Sequence, residues 1–128
     1  MATSFARLLK MSLVLLACLL VDCSTGQQAI PLGSEALDGV AVKAAYRFAA
    51  DHPEVLKNIP CFCGCAAMGH RSNEDCFVKS REGGGIVWEP HGARCRMCVD
   101  IADTAIKLHD KGTPTASIRA QVQHVYGR

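Results

Sequence analysis

Six cysteines crowd between residues 61 and 98 of this chain, at Cys61, Cys63, Cys65, Cys76, Cys95 and Cys98, and any fold must first accommodate their sulfurs. Three of them alternate in Cys61-Phe62-Cys63-Gly64-Cys65. Neighbours at that spacing cannot easily bridge one another, because a disulfide holds its two Cα atoms in a restricted range of distance and orientation. Each therefore needs a distant partner or a metal ion. If the loop curls, as Gly64 permits, the three sulfurs approach one point. Three thiolates at one point repel unless a cation sits among them, so the spacing favours a soft metal.

Cys95-Arg96-Met97-Cys98 supplies the other half. It opens the longest helical pattern, from about Ala93 to Asp110, in which Cys95, Cys98, Ile101, Ala102, Ala105 and Leu108 share a face and Gly112 ends the run. A first-turn CxxC sets its thiols beside unpaired backbone N–H groups at the positive end of the helix dipole. Arg94 and Arg96 push the same way, so Cys95 or Cys98 is expected to be the most reactive thiol. The pair fits either half of a four-cysteine metal site or a redox-active dithiol. His70 and His91, beside the cysteines, are the best non-cysteine ligand candidates; His52, His109 and His124 read as helix surface. Met68 and Met97 could add thioether ligands to Cu(I), but read first as core packing.

The rest of the domain reads as helices around that loop. Leu37, Val40, Ala41, Ala44, Ala45 and Phe48 recur at spacings of three and four, which predicts a helix from about Glu35 to Asp51 with Ser34 as N-cap. Pro53 to Asn58 reads as a second short helix with proline at its first position, ended by Pro60. Residues 60–71, PCFCGCAAMGHR, show no period and read as a loop. Ser72 to Asp75 has the spacing of a capping box, with Asp75 in place of the usual Glu, and suggests a short helix presenting Cys76. Glu82 to Gly85 is a flexible turn, and Ile86 to Trp88 a brief extended stretch. Thr113-Pro114 opens a last helix with Ile118, Val122 and Tyr126 on its apolar side. The expected fold class is mainly α: a small single domain, residues 34–128, of four or five helices around an irregular cysteine-rich loop. There is no glycine-rich phosphate loop, GxSxG elbow or HExxH pair, and no catalytic residue is assigned.

The N-terminus is of another kind. MATSFARLLK carries Arg7 and Lys10 and no acid, and the apolar run MSLVLLACLLV follows at residues 11–21. That pattern reads as a secretory signal, since roughly 18 to 20 apolar residues are needed to cross a bilayer. Cys18 and Cys23 both fall where lipoprotein processing acts. Ala17 suits the position before cleavage better than Asp22, while Cys23 lies at the natural end of the run. The expectation is a lipoprotein-type signal over residues 1–22, cut before Cys18 or Cys23, and a linker over residues 23–33. It places an exported, membrane-anchored protein in the cell envelope or periplasm. Removing the first 17 residues takes away Arg7 and Lys10 and leaves basic and acidic side chains in balance. Such a chain has no basic face for nucleic acid, and no protein partner can be named.

Pro60-Cys61-Phe62-Cys63-Gly64-Cys65 resembles the motif of the PCYCGC-motif (lipo)protein family, with Phe62 in the tyrosine position. The similarity continues through Gly69-His70, Asp75-Cys76-Phe77, Val87-Trp88, His91-Gly92-Ala93, the Cys95–Cys98 pair and Ile101-Ala102, over roughly residues 44–126. It implies a bacterial exported protein or lipoprotein and carries no activity with it.

The residues themselves favour a metal-binding protein. The ion would be thiophilic, Cu(I) before Zn(II) or an iron–sulfur cluster, held by Cys61, Cys63, Cys65, Cys76, Cys95 and Cys98, with His70 and His91 as further ligands. Two alternatives stand beside it. Outside the cytoplasm an even number of cysteines also reads as three disulfides, giving a stapled envelope interaction domain. Cys95 and Cys98 could instead serve a thiol–disulfide oxidoreductase, although no thioredoxin-like alternation of strand and helix surrounds them.

Overall fold

Tyr46 decides how the first helix sits. In the computed structural model, which describes residue 30 and residues 39–128, helix α1 (Gly39–Asp51) buries Val42, Ala45, Tyr46, Phe48 and Ala49. Val40 is 78% exposed, and Ala44 is exposed too. Of the expected stripe, Val40 and Ala44 therefore face outward while Ala45 and Phe48 face the core. The Tyr46 ring, among the largest fully buried side chains, takes the core side because its hydroxyl is satisfied there. That hydroxyl donates to the Glu89 carbonyl at 2.5 Å and accepts from the Ala93 N–H at 3.2 Å. Phe77 and Trp88 meet the ring edge-on, at centroid distances of 5.1 and 5.4 Å. The expected signal segment, Cys18, Cys23, the linker apart from Ile30, and the Ser34 cap lie outside the described residues.

Helix α2 (Pro53–Leu56) has proline at its first position, where the missing N–H costs no hydrogen bond, and buries Val55 and Leu56. The cysteine loop then leaves and re-enters the body at one place. Pro60 and Ser72 form an antiparallel bridge; the Cys61 N–H donates to the Arg71 carbonyl and the Asn73 N–H to that of Ile59. A 3₁₀ turn at Glu74–Cys76 follows, opened by the expected reciprocal capping. The Ser72 N–H donates to the Asp75 carboxylate at 2.8 Å, and the Asp75 N–H donates to Ser72 Oγ at 3.4 Å.

A hairpin comes next: β1 (Val78–Glu82) pairs antiparallel with β2 (Gly85–Trp88). The extended stretch before Trp88 is present, but its partner strand was not legible. Only Val78 of β1 is buried, so no alternation marks it. The turn does the pairing: Gly83 and Gly84 both hold positive φ, the handedness that matches strand twist. Arg81 fixes the hairpin to the body, pairing with the Glu74 carboxylate at 3.0 Å and donating to the Ala49 carbonyl at 2.6 Å.

Helix α3 (Arg96–His109) starts later than its periodicity suggests, because Pro90–Ala93 forms a separate 3₁₀ turn and Cys95 is the N-cap. Helix α4 (Thr115–Tyr126) follows and buries Ile118 and Val122. α1 and α4 both pack on α3. His109 and His52 are only partly surface residues. Their rings meet, tilted, at a centroid distance of 4.4 Å beside Phe48, and His109 Nδ1 is buried. The described residues thus form a small, mainly helical domain of four α-helices with a two-stranded sheet. None of these helices is long and apolar enough to cross a membrane.

Candidate metal centre

Three segments deliver the six sulfurs. In the first, Gly64 takes φ 79° and Gly69 φ 86°, left-handed conformations open to glycine, and they bracket a 3₁₀ turn over Cys65–Met68. The resulting curl brings Cys61 Sγ to 2.8 Å from Cys65 Sγ and 3.3 Å from Cys63 Sγ, with Cys63 and Cys65 2.7 Å apart. The second segment is the capped turn that presents Cys76, whose sulfur lies 3.9 Å from Cys61 and 4.0 Å from Cys65. The third is the N-terminus of α3. Cys98 Sγ is 3.1 Å from Cys76 and 3.0 Å from Cys95, and Cys95 Sγ accepts from the Cys98 N–H at 3.4 Å. Asn73 joins the second segment to the third by donating to the Cys98 carbonyl.

None of these six cysteines is disulfide-bonded, and a bonded pair would stand at about 2.05 Å. In a tetrahedral thiolate site with bonds near 2.3 Å, neighbouring sulfurs lie about 3.8 Å apart. Cys76 stands near that spacing from Cys61 and Cys65, at 3.9 and 4.0 Å, while the other sulfur pairs are closer, at 2.7 to 3.3 Å, and most sulfurs have more than one such neighbour. The histidines join them: Cys63 Sγ is 3.6 Å from His91 Nε2, and the His70 and His91 rings meet at 5.4 Å. Three overlapping groups have ligand atoms within 4.8 Å of one another: Cys61, Cys63, Cys65 and Cys76; Cys63, His91, Cys95 and Cys98; and Cys65, His70, Cys76 and His91. All eight residues singled out in the sequence belong to at least one group, and each group is positioned to bind a metal ion. Cys18 and Cys23 lie outside the described residues.

A family model for a protein of unknown function with a PCYCGC motif matches residues 20–128. The chain belongs to that family. No curated protein and no solved structure matches it. At the family's tyrosine position stands Phe62, half-buried beside the C-terminal end of α4; a Cβ on Gly127 would lie 3.3 Å from its ring.

The cluster has a buried floor and an open rim. Cys65, Cys76 and Cys98 are buried; Cys61, Cys63 and Cys95 are half-exposed. Burial, together with hydrogen bonding and charge from Cys61 and Cys63, pushes the Cys65 thiol well up. The bond to Cys98, then burial and neighbouring sulfurs, does the same to Cys76. Burial also raises Cys61, but hydrogen bonds from Cys65 and Cys63 outweigh it and hold that thiol below its ordinary value. At Cys95 the direction is opposite to the one expected from the helix start. Burial and its bond with Cys98 raise it, despite the Cys98 N–H it accepts from. His91 is lowered by burial and by His70, which favours the neutral imidazole that a metal requires. Met68 and Met97 are a second correction: at 55% and 40% exposed they lie outside the core.

Two positioning residues escaped the sequence. Glu89 caps the 3₁₀ turn, its carboxylate accepting from the His91 N–H at 3.1 Å while its other oxygen lies 4.0 Å from His70 Nε2. An acid directly before Pro90 is the signal that would have pointed to it. Gly92 allows the His91 segment to lie against the Cys76 turn. A Cβ there would stand 2.4 Å from the Phe77 ring and 2.6 Å from the Cys76 carbonyl oxygen.

Proposed function

We propose that the chain is an exported, lipid-anchored cysteine-rich protein of the cell envelope or periplasm that binds a thiophilic metal. Its ligands are the thiolates of Cys61, Cys63, Cys65, Cys76, Cys95 and Cys98, with His70 and His91 completing the shell. One observation carries the proposal: sulfurs from three separate segments meet at 3.1 to 4.0 Å, with several close to one another. A cation removes the mutual repulsion that such thiolates would otherwise suffer. Cu(I) ranks first, because thiolates suit it and copper handling is a common task outside the cytoplasm. Zn(II) ranks second and an iron–sulfur cluster third, since exported chains rarely meet cluster assembly. Export and anchoring are supported by Arg7, Lys10, the apolar run at residues 11–21, and Cys18 and Cys23. The oxidoreductase alternative is weakened by the raised Cys95 and the buried Cys98, the reverse of an accessible, activated pair.

The experiment is a titration of reduced, purified domain with Cu(I) and with Zn(II) against a competing chelator. It is repeated on a double variant carrying Cys63→Ser and Cys98→Ser. Loss of both ligands is expected to weaken binding more than about a hundredfold. Equal affinities in wild type and double variant would refute a thiolate site.

A further inference from the structure

We infer that the centre is binuclear: a second metal ion sits between His70 and His91 and shares the sulfurs of Cys65 and Cys76 with the ion held by Cys61 and Cys63. This rests on the metal-binding proposal and adds a distinct site to it. The ligand atoms of Cys65, His70, Cys76 and His91 lie within 4.8 Å of one another, as do those of the all-thiolate group, and Cys65 and Cys76 belong to both. Both shared cysteines are buried, and their sulfurs stand 4.0 Å apart, one on either side of a two-ion core. A thiolate has lone pairs enough to bridge, whereas a histidine nitrogen serves one ion.

The independent sign of a ligand is at His70. The residue is 7% exposed, and its Nδ1 is buried with no hydrogen-bond partner. An imidazole nitrogen is not normally left unpaired in a protein interior. Its other nitrogen, Nε2, faces the Glu89 carboxylate at 4.0 Å. At that distance the carboxylate is a neighbour of Nε2 and not its hydrogen-bond partner, and the unpaired Nδ1 is the nitrogen left for a metal. The same Glu89 fixes His91 by accepting its backbone N–H. The two rings meet at 75°, edge toward face. His91 also neighbours Cys63, Cys95 and Cys98, but seating the second ion there would leave His70 unpaired. Two sulfurs and two nitrogens suit Zn(II) or copper.

Zn(II) is the probe for the test. Reduced protein is loaded with zinc in excess, freed of loose metal and weighed by native mass spectrometry, alongside a His70→Gln variant whose helicity is checked by circular dichroism. The expected result is two zinc ions in wild type and one in the variant. Two ions in a folded variant, or one in wild type, overturns the binuclear centre and leaves the metal-binding proposal standing. No zinc in wild type also overturns the binuclear centre, and the Cu(I) titration above then decides the metal-binding proposal separately. Should the variant not fold, labelling of wild type with diethyl pyrocarbonate decides. His91 should react in the one-zinc form and be protected in the two-zinc form, while exposed His124 reacts in both. Equal labelling of His91 in the two forms overturns the inference.

Discussion

The hydroxyl of Tyr46 donates to the carbonyl of Glu89 at 2.5 Å and so ties the middle of α1 to the turn that carries His91. The same oxygen accepts from Ala93, and burial pushes its pKa up from 10.0 to about 12. The fold therefore holds Tyr46 neutral. Its contribution is full below pH 10, the unfolded value, and is lost as pH rises through about 12. Tyr46→Phe removes both hydrogen bonds and should cost about 1 to 3 kcal/mol at neutral pH. In paired denaturation curves, the gap between wild type and variant should narrow from pH 10 upward. A gap that stays constant or widens would mean that the neutral hydroxyl is not what stabilises this contact.

Gly92 tests the packing of the His91 turn on the Cys76 turn. Adding a methyl group places it 2.4 Å from the Phe77 ring and 2.6 Å from the Cys76 carbonyl oxygen, so the two turns must separate. Gly92→Ala is expected to destabilise the domain by about 1 to 3 kcal/mol and to weaken metal binding with it. Unchanged stability and affinity would show that the close approach is not needed.

Much of this framework was legible. The proline-led α2, the Ser72–Asp75 capping and the last helix follow from local chemistry that sequence records directly. The curl at Gly64 was legible because alternating cysteines with a glycine leave few other arrangements. What was not legible depended on distant partners. Tyr46 turns α1 inward only because Glu89 and Ala93 satisfy its hydroxyl, and β1 exists through its turn and its partner strand, not through its own pattern. The acidity assigned to Cys95 assumed an exposed helix start, whereas the structure half-buries it against Cys98.

Thiol reactivity follows the corrected order. In reduced, metal-free protein, half-exposed Cys61, held below its ordinary pKa by Cys65 and Cys63, should alkylate first. Cys76, fully buried and strongly raised, should react last. Peptide mapping after timed alkylation gives the sequence of events. Fastest reaction at Cys95 or Cys98 would restore the helix-dipole account and contradict the cluster geometry.

Anchoring is tested separately from metal binding. Changing both Cys18 and Cys23 to serine should release the protein from membranes in cell fractionation. Attachment unchanged from wild type would exclude a lipid at either position.

The most direct measurement is native mass spectrometry of the protein purified from the cells that make it, compared with the mass after denaturation and chelation. A metal centre predicts bound ions in the native spectrum and a denatured chain with its six core thiols carrying their hydrogens. A metal-free native mass, lighter by two hydrogens for each of three disulfides, would contradict it and leave a stapled domain.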